Sequence, residues 1–251
     1  ISIGTPQSEV FIYDAVLLDR SALAPVLDLL LNPMKMKVVW DGRMDYSEIY
    51  HTYGTKFENT LDLQIVELTS RVTRGEGEAI RLRRLNSYFF SGYQSTEQYD
   101  GLQLVLGMNR FLTENHLASG DAKDASVKNI HQNYSHKWVE RPLSAMLLNY
   151  AAKDIHLIHL IYQHFQNQGF LQSKTNLILQ SQRYVAMHAD LPLKPFRNDC
   201  YRRSPLLPLD ILEEPSGILR ECEGCRRKLS LPCFKQKGSM RRKWCKVCQV
   251  V

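Results

Sequence analysis

Along residues 141–169 (RPLSAMLLNYAAKDIHLIHLIYQHFQNQG) apolar side chains recur at three- and four-residue steps: Met146, Leu147, Tyr150, Ala151, Leu157, Ile158, Ile161 and Phe165. That spacing places them on one face of a single long helix. Ser144 is positioned to cap its start and Gly169 to stop it. The face has one break, Asp154, whose carboxyl falls among the aliphatics one turn after Tyr150. A carboxylate there loses hydration and stays charged only where a cation, a metal or several donors replace the water. Two readings remain open at this point: an acid satisfied by a neighbouring arginine or by backbone amides, or a ligand for a metal.

Upstream the pattern changes period. Residues 1–4 and 9–13 (EVFIY) are rich in β-formers on either side of a Thr5-Pro6-Gln7-Ser8 turn and read as a hairpin. Ser21 is expected to cap a helix with Leu23, Val26, Leu27 and Leu30 on one face, ended by Asn32-Pro33. Residues 37–40 (KVVW) form a short apolar strand. Strand, helix, strand is the α/β alternation, so the leading fold is a sheet with helices on its faces. Asp45, three residues before Glu48, fits a capping box and need only start a helix. It also follows the carboxyl end of a strand, where open α/β sheets place ligands. Asp62 reads as the cap of the next helix.

Residues 71–93 combine Arg71, Arg74, Arg81, Arg83 and Arg84 with Tyr88, Phe89, Phe90 and Tyr93. Guanidinium beside aromatic rings suits a single strand of nucleic acid, and equally a solvated surface above core aromatics. With Gly75 and Gly77 inside it, the stretch is expected to be an exposed loop or insertion. Residues 101–112 return to helical apolar spacing, and residues 113–137 are polar. Beyond Gly169 a helix is expected around residues 181–187, and then five prolines in two stretches, LPLKPF and SPLLPLDILEEPSG, suggest a linker over 173–218. His156 and His159 fall outside the apolar face and read as surface residues.

Composition adds little until charge is located. At 251 residues, 44% hydrophobic and 23% charged, the chain suits an ordinary globular protein with one sizeable core and an appendage. No apolar run reaches the roughly 20 residues of a membrane helix. Net charge is +6. Residues 219–251 hold ten Lys or Arg against Glu221 and Glu223, a net +8, which leaves −2 for the rest. The basic character therefore belongs to the tail.

The same tail carries Cys222-x2-Cys225, nineteen residues, then Cys245-x2-Cys248. Two such knuckles supply four thiolates to one tetrahedral Zn2+, and the metal replaces the core that so short a segment lacks. A pair of disulfides in a secreted protein is the competing reading; it would leave Cys200 and Cys233 over. The interleaved Arg226, Arg227, Arg241 and Arg242 offer phosphate contacts, so 219–251 reads as a basic zinc module facing nucleic acid or a partner.

Two stretches resemble a known family. Trp138-x2-Arg141-Pro142-Leu143 followed by Tyr150-x3-Asp154 is similar to the third motif of ribonuclease D-type 3′-5′ exonucleases, the Tyr-x3-Asp branch of the DEDD superfamily. Residues 37–45 (KVVWDGRMD), 51–54 (HTYG) and 59–62 (NTLD) resemble the second motif and its downstream strand. The resemblance implies a ribonuclease H-like mixed sheet flanked by helices over residues 1–172. It implies Asp154 and Asp45, not Asp41, as ligands of two Mg2+ or Mn2+, and Tyr150 as the residue orienting the attacking water. Single-stranded RNA or DNA 3′ ends become the expected substrate, with Arg81, Arg83 and Arg84 as further candidate contacts and no membrane association. The expected location is intracellular, nuclear or cytoplasmic. Such sites use four acids, two of them from an Asp-x-Glu strand that residues 1–251 do not contain. The chain by itself is therefore expected to be inactive or nearly so, and the alternative is a non-catalytic nucleic-acid-binding or scaffold protein on the same fold.

Overall fold

The hairpin expected at the start is present. β1 (Ser2–Gly4) pairs antiparallel with β2 (Val10–Ile12), Ile3 opposite Phe11. β3 (Lys37–Val39) runs parallel to β4 (Thr60–Asp62), Val38 opposite Leu61, with α2 (Arg43–Tyr53) crossing between them. This computed structural model describes residues 1–89, 99–117, 135–189, 204–237 and 240–250. Among them the strands pair two by two, antiparallel and parallel, under a cover of helices, which is the mixed α/β class expected. Phe90, Tyr93, Cys200 and most of the polar stretch after Glu114 lie outside the described residues.

Helix starts agree in part with the caps expected from the sequence. α1 (Arg20–Leu31) is capped by Asp19, whose Oδ1 accepts from Ala22 N at 2.8 Å, and Ser21 already lies in the first turn. α2 begins after Gly42 with no side-chain cap, so Asp45 is a residue of its first turn and not its cap. Gly42 is required by close approach: a Cβ there would stand 2.7 Å from Val39 Cγ2. Asp62 does cap α3 (Leu63–Thr73), accepting from Gln64 N at 2.9 Å.

The described part of the stretch expected to be an exposed loop, residues 71–89, is the end of one helix and the whole of another. α3 ends through Gly75 (φ +76), whose N–H reaches Val72 O at 3.0 Å while Glu76 N reaches Arg71 O at 2.9 Å, and α4 (Glu78–Phe89) follows. The apolar run 101–112 divides into β5 (Gln103–Leu104) and α5 (Met108–Glu114).

The long helix, α6 (Ala145–Asn167), starts at Ser144, whose Oγ accepts from Leu147 N at 3.4 Å. It packs on β1, β2, β3 and α3. Leu147, Leu157, Ile161 and Phe165 are buried, the last three with Trp40, Leu61, Val66 and Phe111 in the largest core cluster. Met146, expected inside, is 40% exposed in the first turn. Gly4 lets the helix settle: a Cβ there would fall 2.4 Å from Ile155 Cγ2, the residue after Asp154. α7 (Lys174–Val185) covers β4, α2 and α3 with Tyr184 and Val185 fully buried.

Part of the proline-rich stretch is built into the fold. β6 (Leu206–Leu207) pairs with β5, and both its residues are 0% exposed. The tail forms β7 (Leu219–Glu221) with β8 (Lys228–Ser230), β9 (Phe234–Lys237) with β10 (Met240–Cys245), and the short helix α8 (Lys246–Val250). Its Cys222, Leu229, Phe234, Cys245 and Val247 share one buried cluster with Leu85 of α4, Tyr99, Leu102, Leu104 and Leu206. No helix among the described residues is long and apolar enough to cross a membrane.

Candidate active site

The carboxyl ends of the parallel pair β3–β4 carry Asp41 and Asp62. Asp62 is 0% exposed and accepts three backbone amides: Asp41 N at 3.1 Å, Gly42 N at 2.8 Å and Gln64 N at 2.9 Å. It thereby ties the β3–α2 turn to the start of α3. Burial, then the facing Asp41, push its carboxyl up to about 7 against the pull of those amides. Asp41 sits at φ 54 and is held by Arg43, Nε to Oδ1 at 2.6 Å and Nη2 to Oδ2 at 3.0 Å. Arg43 is buried, donates to Ser204 O at 2.5 Å and lies 4.7 Å over the Tyr184 ring. Tyr184 in turn donates to Gln64 Oε1 at 2.5 Å. This network was not legible in the sequence, because its members are spread over four elements with no shared spacing.

Braced in this way, α2 presents Asp45. The residue is exposed on α2, with protein close around its carboxyl. Lost hydration first, then the negative charges of Asp41 and Asp154, push it up to about 6. That coupling puts Asp154 of α6 within electrostatic reach of Asp45, so the structure brings together two acids 109 residues apart. Asp154 is half-buried, as is Tyr150 one turn earlier, whose ring meets Trp138 edge-on at 6.2 Å between centroids. Arg141 joins this end of α6 to the loop after β2 through Asp14, Nε to Oδ2 at 2.5 Å. A carboxyl whose ionisation is made costly by neighbouring acids suits a hard divalent cation, which relieves the repulsion.

The sequence pattern of the 3′-5′ exonuclease family matches residues 1–169, the segment that carries Asp41, Asp45, Asp62, Arg141, Tyr150 and Asp154. The chain belongs to the 3′-5′ exonuclease family. Its fold is similar to that of Trypanosoma brucei RNase D, at 20% identity and a TM-score of 0.51 over 72% of this chain and 54% of that one. It is also similar to the same enzyme in complex with RNA U12, at 20% identity and a TM-score of 0.56 over 87% and 64%. The chain thus spans between about half and two-thirds of the length of those chains. No curated protein matches it.

In this exonuclease fold the candidate arginines divide. Arg81 donates to Tyr99 O at 2.8 Å and Leu102 O at 2.6 Å and pairs with Glu78. Arg84 pairs with Glu76 at 3.0 Å and Glu114 at 3.4 Å. Both guanidiniums thus hold α4 to its surroundings, whereas Arg83 is exposed. In the tail, Arg226 pairs with Glu221 at 3.1 Å, Arg227 lies 3.3 Å from Cys225 Sγ, and Arg242 is exposed. The Arg241 side chain lies outside the described atoms.

Beside the exonuclease domain the sulfurs of Cys222, Cys225, Cys245 and Cys248 all lie within 4.8 Å of one another. Cys225 Sγ and Cys245 Sγ are 3.9 Å apart, against about 3.8 Å for the edge of a tetrahedron with 2.3 Å bonds. Cys245 N donates to Cys222 Sγ at 3.1 Å. Gly224 leaves room for the sulfurs, since a Cβ there would be 3.1 Å from Cys248 Sγ. Hydrogen bonds from Cys245 and Cys248, with Arg227 beside it, draw the Cys225 thiol well below the usual range, and the hydrogen bond to Cys225 pushes Cys248 up to about 12. A four-thiolate metal site fits this donor set, and no disulfide joins the described cysteines.

Proposed function

We propose that this chain carries 3′-5′ exonuclease chemistry on single-stranded nucleic acid, RNA foremost, with Asp45 and Asp154 as carboxylate metal ligands and Tyr150 as the residue that orients the attacking water. The observation that supports it most is the electrostatic coupling of Asp45 on α2 to Asp154 on α6, inside the segment that matches the family. Paired Mg2+ or Mn2+, when bound, would supply Lewis acidity and a nucleophile at neutral pH. The two carboxylates would supply the negative charge that holds such ions. Tyr150, fixed by Trp138, keeps its phenol one turn from Asp154, where it can hold a water in line. Arg141 and Asp62 position the two helices and take no part in the chemistry. The RNA bound by the T. brucei enzyme is the support for RNA over DNA. Arg83, Arg226, Arg227, Arg241 and Arg242 are the proposed phosphate contacts, and one Zn2+ on the four cysteines is structural.

A 5′-labelled single-stranded RNA incubated with Mg2+ or Mn2+ should shorten from its 3′ end. Asp154→Asn should abolish the ladder and weaken Mn2+ binding measured by calorimetry. Shortening that survives Asp154→Asn sinks the assignment. A second reading, binding without turnover, draws support from one observation: among the described residues no third metal-type ligand joins Asp45 and Asp154, whereas two-metal sites of this family use four acids. Salt-sensitive RNA binding with no Mg2+-dependent product would favour it.

A further inference from the structure

Trp244 is half open to solvent, at 51%, in a chain whose Trp40 is 8% exposed. A large aromatic surface left in water costs free energy unless something covers it. Cys245 of β10 lies opposite Phe234 of β9, and both are buried, at 1% and 2%. The register shifts between Arg241 and Cys245, so three residues of β10, among them Arg242 and Trp244, stand against Lys235 alone on β9. There Lys235, Arg242, Trp244, Gln249 and Val250 line a recess of about 360 Å3 between β9, β10 and α8, within the range of small-ligand sites. Gln249 Nε2 donates to Trp244 O at 2.6 Å and fixes α8 against the strand. The neighbouring acid, Asp100, is answered by Lys246 at 3.0 Å, so the field of the recess is cationic. Four thiolates and one divalent ion would carry −2, leaving the tail at about +6 overall.

We propose that this recess is a single-stranded RNA subsite, in which one base stacks on the Trp244 indole and the flanking phosphates meet Lys235 and Arg242. An indole face framed by two cations offers both halves of a nucleotide a partner, base and phosphate. The site deepens the reading above and rests on it for the choice of RNA. It adds a strand-holding surface on the cysteine module and needs none of the catalytic acids.

The test titrates the full, zinc-loaded chain with a twelve-nucleotide oligouridylate, without added Mg2+ or Mn2+. Trp244 fluorescence should quench on binding. Trp244→Ala should weaken binding about 5- to 100-fold, while Trp244→Phe, which keeps a stacking ring, should recover most of it. Lys235→Ala with Arg242→Ala should lower the slope of log K against log salt by about 1.4. An abasic oligonucleotide should bind weakly and be indifferent to Trp244→Ala. Unchanged affinity of Trp244→Ala with its zinc retained, or equal affinity for the abasic strand, overturns the proposal. Loss on Trp244→Phe as large as on Trp244→Ala also overturns it, because the ring would then serve the fold and not a base. If the chain quenches and binds through Trp244 yet never shortens RNA, the catalytic reading fails and the recess stands. If it shortens RNA with Trp244→Ala binding normally, the reverse holds.

Discussion

Arg141 and Asp14, 127 residues apart in sequence, meet as a two-pronged pair, Nε to Oδ2 and Nη2 to Oδ1 both at 2.5 Å. The third guanidinium nitrogen donates to Trp138 O at 3.0 Å and Glu140 O at 2.8 Å, so one side chain ties the approach to α6 to the loop after β2. Asp14 is also held by Val16 N at 3.1 Å. The arginine of the Trp-x2-Arg-Pro-Leu motif is therefore a fastener for the segment that carries Trp138 and Tyr150. Arg141→Lys keeps the charge and loses the fork. A small displacement of Tyr150 is then expected to lower RNA hydrolysis by roughly 10- to 100-fold with little change in RNA affinity. The Arg141 guanidinium draws the Asp14 carboxyl down from 3.8 to about 2. A depressed carboxylate contributes stability that is whole above 3.8 and lost as pH falls toward 2. The pair should therefore persist at all pH values used for assay. Carbon chemical shifts of Asp14 that titrate near 4 would contradict it.

Asp62 reverses that sign. Its carboxyl is pushed up to about 7, so the folded chain binds a proton that the unfolded chain has released above about 4. Its contribution to stability must then fall as pH rises from about 4 to 7. Asp62→Asn removes the titration and should flatten that slope, read from urea midpoints at pH 5 and 7.5. Asp62→Ala leaves the amides of Asp41, Gly42 and Gln64 without their acceptor and should cost roughly 2–5 kcal/mol. Equal midpoints for Asp62→Ala and the parent would show that the β3–α2 turn holds its shape without this carboxylate.

How much could be read beforehand depended on whether a feature was local. The cap at Ser144, the stop near Gly169, the first hairpin and the four-cysteine spacing are set by neighbours along the chain, and the structure has each of them. Gly75 misled because a glycine with φ +76 closes α3 by two backbone bonds and leads into α4; its left-handed conformation marks a helix end and not a loop. The partners of Arg81 and Arg84, among them Tyr99 O, Leu102 O, Glu76 and Glu114, come from the segments on either side of α4, so those pairings could not be read from the local sequence. Asp45 looked like a cap because Glu48 lies three residues on, but Asp62, seventeen residues later, holds the amides of Asp41 and Gly42 and the helix starts after Gly42. Tertiary partners decided these cases, and a period of 3.6 carries no record of them.

The cysteine module bears on the stability of the whole exonuclease domain. Cys222 and Cys245 are buried in one cluster with Leu85, Tyr99, Leu102, Leu104 and Leu206, and Asp210 accepts from Ser230 N at 2.6 Å across the same contact. A metal that fixes the four sulfurs also fixes the apolar face against which α4 and β5 pack. Stripping it with a chelator, or Cys245→Ser, should therefore cost several kcal/mol and lower Tm on the order of 10 °C. Amide exchange should rise at Leu85 and Leu104 as well as within residues 219–250. Colorimetric titration should count one Zn2+ released per chain. Exchange that rises only beyond Leu219, with Leu85 and Leu104 still protected, would mean that the module folds on its metal alone and merely rests against the domain.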